Sequence, residues 1–289
     1  MYYKSKAYRL FNGFNYVFLI LVAITCILPL WHLFVVSLSG KTAASTGQVG
    51  LFPVDFTLEA YTKTFSNSNF LRALGISLVR TVVGTSLSMI LITMTGYALS
   101  KTFRGRNLYM WFFVITMLFG GGLIPSYILV TSLGLKNTLG ALILPGALGV
   151  YNVILIMNFF KSIPRALEEA ALIDGASFTK IFARIYIPLS MAGLATVGLF
   201  IMVGNWNSWF DGLLYISKTE NYPLATFLQT IVVQNNIQDL ATNAQSLSNL
   251  SERTIKAAQI FIGALPILMV YPFLQKYFVT GIKVGAVKE

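Results

Sequence analysis

Six long apolar runs alternate with shorter polar connections along this chain of 289 residues. The runs occupy about 14–38, 75–99, 108–132, 139–160, 189–217 and 258–278, each reaching or passing the ~20 residues that carry a helix across a bilayer. Lys4, Lys6 and Arg9 precede the first run in the manner of a signal peptide. That run holds roughly 25 apolar residues, against about 7–15 for an h-region, so it reads as an uncleaved anchor. Within the third run, Gly120-Gly121-Gly122 followed by Pro125 weakens the helix near mid-membrane. Such a break is tolerated where backbone faces protein or a water-filled cavity, and it reads either as a packing kink or as the lining of a path. The pattern predicts an all-α membrane protein of six transmembrane helices.

Composition agrees with the pattern: 56% of residues are hydrophobic and 11% charged, against roughly 25% charged in ordinary soluble domains. The basic residues set the orientation. Thirteen Lys and Arg fall in the connections on one side, among them Lys101, Arg104, Arg106, Lys161, Arg165, Lys180 and Arg184, and seven fall on the other. The excess puts both termini in the cytoplasm of a multi-pass cell-membrane protein, with 1–13 as a cytoplasmic N-terminus and 14–289 as a single transmembrane domain. The net charge of +11 is therefore a topology signal and not a nucleic-acid footprint. Residues 161–188 fall in the cytosol, and 218–257, rich in Asn, Gln and Ser, forms a long outer connection.

Little catalytic chemistry is available. His32 and Cys26 are the single histidine and cysteine, so no metal-ligand spacing and no Cys/His pair exists. Gly40-Lys41-Thr42 resembles the end of a phosphate-binding loop, but Val35 stands where that loop needs glycine. The chain is expected to bind no ATP and no other cofactor. Asp211 is the one acidic candidate within the spans and Arg80 the other charged one, read as snorkelling or pairing locally. The stretch Asn205-Trp206-Asn207-Ser208-Trp209-Phe210-Asp211 mixes aromatic faces with amides and a carboxylate. That mixture suits either a sugar path or an interfacial aromatic belt. On a continuous helix Asn205 and Trp209 share one face, with Trp206 on the next and Asp211 at the outer mouth.

Residues 164–188 are the most informative segment. Six charged side chains bar them from the bilayer, Pro164 suits a helix start and Gly175 a helix end. Phe178, Ile181, Phe182 and Ile185 then mark one apolar face of a second short helix. Glu169-Ala170-Ala171, then Gly175, then Ile185-Tyr186-Ile187-Pro188 resemble the EAA motif of binding-protein-dependent ABC transporter permeases, with Ile187 in place of the usual Leu. Asp174-Gly175-Ala176 and the tail Gly281–Lys288 resemble maltose-permease-like, carbohydrate-uptake members. The Gly-Leu-Ile-Pro and Trp-Asn-Ser-Trp stretches look most like permeases for complex oligosaccharides.

The resemblance implies the type I importer permease fold and a sugar or oligosaccharide substrate. It also implies a second homologous permease, two ATPase subunits that bind ATP and Mg, and an extracellular solute-binding protein, all around a chain set among membrane lipids. Glu168, Glu169, Ala170, Ala171, Asp174, Gly175, Ala176, Phe178, Phe182 and Pro188 would then couple to the ATPase, while Asn205, Trp206, Trp209 and Asp211 would line the substrate path. A same-fold permease for an amino acid, peptide or phosphate, or less readily a polytopic membrane enzyme, are the alternatives.

Overall fold

The computed structural model describes residues 6–241 and 247–286, and these are helical with no strand. Val287 and Lys288 of the tail, Lys4 at the start, and Asn243 and Gln245 of the amide-rich segment lie outside the described residues.

Among those residues three helices are long and apolar enough to cross a membrane: Lys6–Ser37, Ser68–Ser100 and Glu252–Pro272. Three bent pairs bring the number up to the expected six when each pair is counted as one span. Arg106–Leu118 with Leu123–Ser132 turns by 112°, Leu139–Gly146 with Val150–Lys161 by 50°, and Phe178–Leu189 with Met191–Asn207 by 81°. The first bend falls at the glycine run: Gly122 has φ 88° and ψ 178°, a conformation open to glycine and costly for residues bearing a Cβ.

The chain sorts into two compact units, Met1–Phe70 with Ile231–Leu265, and Leu71–Thr230 with Pro266–Glu289. In the first unit, Val35, Val36, Ala43, Ala44, Val49 and Ala257 form a small core. Phe34 packs on Phe261 at 4.8 Å between ring centroids. Ser37 shares a hydrogen bond with Tyr61 at 2.7 Å, and Glu59 accepts ion pairs from Lys41 and Lys63 at 2.5 and 3.0 Å.

The second unit is built on the second, fourth and fifth spans. Ile92 and Leu99 meet Val153, Ile156, Met157 and Phe160, and Ile181, Tyr186, Leu194 and Val197 close the cluster from the other side. Glycines set the helix spacing. A Cβ on Gly96 would come within 3.0 Å of Ile156 and 3.3 Å of the Met157 backbone nitrogen, and one on Gly193 would enter the Phe159 ring. Such small residues are what let helix backbones approach closely in lipid.

Two expectations are corrected. The run at 189–217 is not one helix: Met191–Asn207 stops, and a separate turn of helix, Phe210–Tyr215, follows Ser208 and Trp209. The cause is a guanidinium at the break, described below. The outer connection at 218–257 is largely helical, with Leu224–Ala241 and the start of Leu247–Ala286 inside it. Its many amides read as a loop, but no Gly or Pro stands between Pro223 and Gly263, so Leu, Ala and Gln are free to propagate helix.

Overpacking tests the glycine contacts. Gly193→Val is expected to destabilise by about 1–3 kcal/mol and to lower the thermal midpoint read from tryptophan fluorescence. Gly13→Ala, with nothing within 4 Å of its new methyl and a helix-favouring residue in place of glycine, is expected not to lower that midpoint.

Candidate functional site

The segment from Arg165 to Leu189 is built as the spacing of its residues requires. The helix Arg165–Ile173 starts directly after Pro164, which is extended at φ −58° and ψ 129° and so precedes the first turn instead of opening it. It ends at Gly175, φ +76°, where the Ala176 N–H donates to Ala171 O at 2.9 Å and the Gly175 N–H to Leu172 O at 3.0 Å. This pair of bonds is the Schellman closure, which a left-handed glycine permits. Ser177 then caps the next turn by accepting from the Lys180 N–H at 3.4 Å.

The expected apolar face of the second short helix is only partly formed. Phe178–Ile181 passes into a wide π turn over Phe182–Tyr186, which shifts the register. Ile181 is fully buried and Phe182 and Ile185 pack on the core, but Phe178 is 62% exposed. Ala171 and Ala176 pack on the same core, whereas Glu169, Ala170, Asp174 and Pro188 are exposed. Ile173, 86% exposed, stands out from the helix end beside the exposed Leu167 and Leu172. An exposed rim that includes Glu169, Ile173 and Asp174 is thus presented away from the protein's own core.

Glu168 does not join that exposed rim. It turns inward, where Oε2 accepts from Lys101 Nζ at 2.5 Å and from the Tyr186 hydroxyl at 2.7 Å, and Lys101 also donates to Tyr186 at 2.8 Å. The Lys101 ammonium lies over the Tyr186 and Tyr97 rings, 4.0 and 4.5 Å from their centroids, a cation–π arrangement. Partial burial pushes the Glu168 carboxyl up, but the bonds from Lys101 and Tyr186 outweigh it and hold the group below its ordinary 4.5. The stabilisation from a depressed carboxylate is present above the unfolded value and is lost as pH falls through the folded one. The cluster therefore stays ionised at neutral pH and opens only in acid below that range.

At the other end of the second span, Arg80 is 2% exposed. One of its terminal nitrogens bonds Asp211 Oδ1 at 3.2 Å and Ser208 O at 3.1 Å, and the other bonds Asp211 Oδ2 and, at 3.2 Å, Leu142 O. Asp211 further accepts from Ser208 Oγ and from the Gly212 N–H, both at 2.9 Å. Arg80 thus takes the free carbonyl where the helix ends, which explains the break after Asn207. The two charged residues read separately from the sequence are one ion pair.

The expected path residues separate in space. With the helix ended at Asn207, Asn205 and Trp209 do not share a helical face. Asn205 packs on Gly84 and reaches Thr85 Oγ1 at 3.5 Å. Trp209 is 40% exposed, and its carbonyl accepts from Thr226. Trp206, 6% exposed, lines a cavity of about 320 Å³ with Thr81, Thr85, Ser86, Met202 and Pro266. Thr81 Oγ1 is buried there without a hydrogen-bond partner. Sequence reasoning missed Lys101 and Tyr186 as site residues. For Arg80 and Asp211 a signal existed, since they are the two opposite charges lodged in apolar runs.

The class these features define is a helical membrane protein with an exposed, charged two-helix segment. Comparison with known proteins makes it specific. The chain is 42% identical over 289 residues to Protein LplC of Bacillus subtilis, covering 99% of this chain and 97% of that one. It is 39% identical over 282 residues to the polygalacturonan/rhamnogalacturonan transport system permease protein YtcP of the same organism, covering 97% and 99%. A crystal structure of a bacterial ABC transporter involved in the import of the acidic polysaccharide alginate matches with a TM-score of 0.84 at 32% identity, over 95% of this chain and 98% of that one. No family model matches the chain. The chain belongs to the sugar permeases of ABC transporters, the family its EAA-like segment resembles.

The ion pair gives a test. Removing one partner of a buried pair costs about 3–5 kcal/mol, and Asp211, with 23% of its side chain exposed, argues for the lower end. Arg80→Met is expected to lower the thermal midpoint of the purified protein strongly. Arg80→Met/Asp211→Leu is expected to recover part of that loss, because no unpaired carboxylate remains.

Proposed function

We propose that this chain is one of two permease subunits of an ATP-driven importer, carrying an oligosaccharide delivered by an extracellular solute-binding protein. Two ATPase subunits bind ATP and Mg and grip the Arg165–Leu189 segment from the cytoplasm, where both termini also lie. The observation that carries this reading is the surface made by exposed Leu167, Leu172 and Ile173 around the helix Arg165–Ile173, closed at Gly175, and by Phe178 on the helix after it. It is an apolar surface with charged edges, fit to seat in a groove of another subunit. The basic excess on this side supports the orientation.

The saccharide is read as an acidic one. YtcP is named for polygalacturonan and rhamnogalacturonan transport, and the matched crystal structure concerns the acidic polysaccharide alginate. The chain itself performs no bond chemistry on its substrate. It offers a path between the two permeases and changes shape when the ATPases close.

The test is ATP hydrolysis and uptake by the assembled complex in proteoliposomes. An oligogalacturonate is expected to stimulate both in the presence of the binding protein, with a neutral maltooligosaccharide giving at least tenfold less uptake. Gly175→Val is expected to lose transport while the complex still assembles. Open space surrounds Gly175, so the loss comes from its backbone conformation and not from a clash. Equal uptake of both sugars would overturn the acidic assignment. Hydrolysis indifferent to every saccharide would overturn the importer reading.

A further inference from the structure

Glu168 lies beside the EAA-like residues in sequence, yet its carboxylate faces away from the surface they present. It is held by two donors from different parts of the fold: Lys101, one residue past the helix Ser68–Ser100, and Tyr186, in the wide turn leading to the fifth span. The three groups close a ring of bonds at 2.5, 2.7 and 2.8 Å. Beneath them the Tyr97, Phe160, Phe182 and Tyr186 rings pack with centroids 4.8 to 6.2 Å apart. Other basic groups near this cleft, Lys161 and Arg165, make no such bond to Glu168.

We infer that Glu168 is a positioning residue, pinning the lever helix Arg165–Ile173 to the inner end of the second span through Lys101 and Tyr186, so that a push on the lever moves that span as one body with it. The inference rests on the importer reading but adds a role the motif does not assign, since an ATPase-contacting carboxylate would point outward as Glu169 does. A single ionic tie with two aromatic walls has little slack. Each bond is short, and both partners of Glu168 are themselves anchored, Tyr186 by the core and Lys101 by the two rings it covers. Losing the tie leaves the lever attached through its chain ends and through Ala171, a looser joint.

The experiment uses the assembled complex in proteoliposomes, with Cys26, the single cysteine, first replaced by Ser. Glu168→Gln and Lys101→Met are each expected to lower saccharide taken up per ATP hydrolysed at least fivefold. The double variant should be no worse than the worse single one, because both changes remove one tie. Lys101→Cys/Glu168→Cys joined by a short bismaleimide is expected to restore the ratio to within twofold of the parent, since a covalent tie replaces the ionic one. A cross-linked complex that hydrolyses ATP but transports tenfold less would show that lever and span must slide past each other, and would overturn the inference. So would single variants with the parent's ratio. A parent complex with no saccharide-dependent hydrolysis would count against the importer reading alone. In that case the tie is read from amide exchange over 165–173 in the full chain, expected to quicken at least tenfold in Glu168→Gln. Unchanged exchange would overturn it.

Discussion

Arg80 is 2% exposed, so its guanidinium is shut off from solvent and has to be answered by protein. That one requirement organises much of the second unit. Its acceptors come from three places along the chain: Leu142 O near the start of the fourth span, Ser208 O at the end of the fifth, and the carboxylate of Asp211. Ser208 O can serve Arg80 because it lies just past Met191–Asn207, where the last carbonyls have no partner in the helical ladder. The buried charge thereby fixes where the fifth span stops and where the short helix Phe210–Tyr215 begins. Thr226, bonding back to the Trp209 carbonyl, and the Leu224 N–H, bonding Ser77 Oγ at 2.7 Å, hold the following segment to the same place.

The second span carries a charged tie at each end. Arg80 and Lys101 are 21 residues apart, or about 32 Å at the helical rise of 1.5 Å per residue. That is close to the ~30 Å hydrocarbon thickness of a bilayer. Between them the contacts are apolar or made by small residues, with Ile92 and Leu99 in the core and Gly84 and Gly96 at the close approaches. One rod is thus fastened near one membrane face to the ends of the fourth and fifth spans, and near the other to the lever. In an importer whose ATP is spent on one side and whose solute arrives on the other, such a rod is the shortest mechanical route between them.

How much of this was legible in the sequence depended on the range of the interactions involved. The six spans follow from apolar run length, and the break at Gly120–Gly122 from local backbone freedom, both readable residue by residue. The lever was equally local: its glycine closure and serine cap involve partners within five residues of each other. What could not be read lies between distant positions. Arg80 meets Asp211 across 131 residues and Lys101 meets Glu168 across 67. The helical conversion of 224–241 was missed for another reason, since amide-rich composition speaks of solvent exposure and says little about backbone conformation. Asn205 and Trp209 share no face because the helix ends between them, at a carbonyl bonded to the distant Arg80.

The wide turn at Phe182–Tyr186 gives the spacing between Gly175 and Pro188 a meaning as a length standard. Each residue added to or removed from a helix turns everything beyond it by about 100°. A wide turn takes in one residue more than an ordinary one, so while it is kept, one residue fewer between Gly175 and Pro188 would swing Tyr186 away from Lys101 although the composition of the segment hardly changed. In this segment the count of residues is itself under constraint, alongside the identity of residues such as Gly175. A ruler built this way would keep its length among proteins of the family even where the letters along it differ.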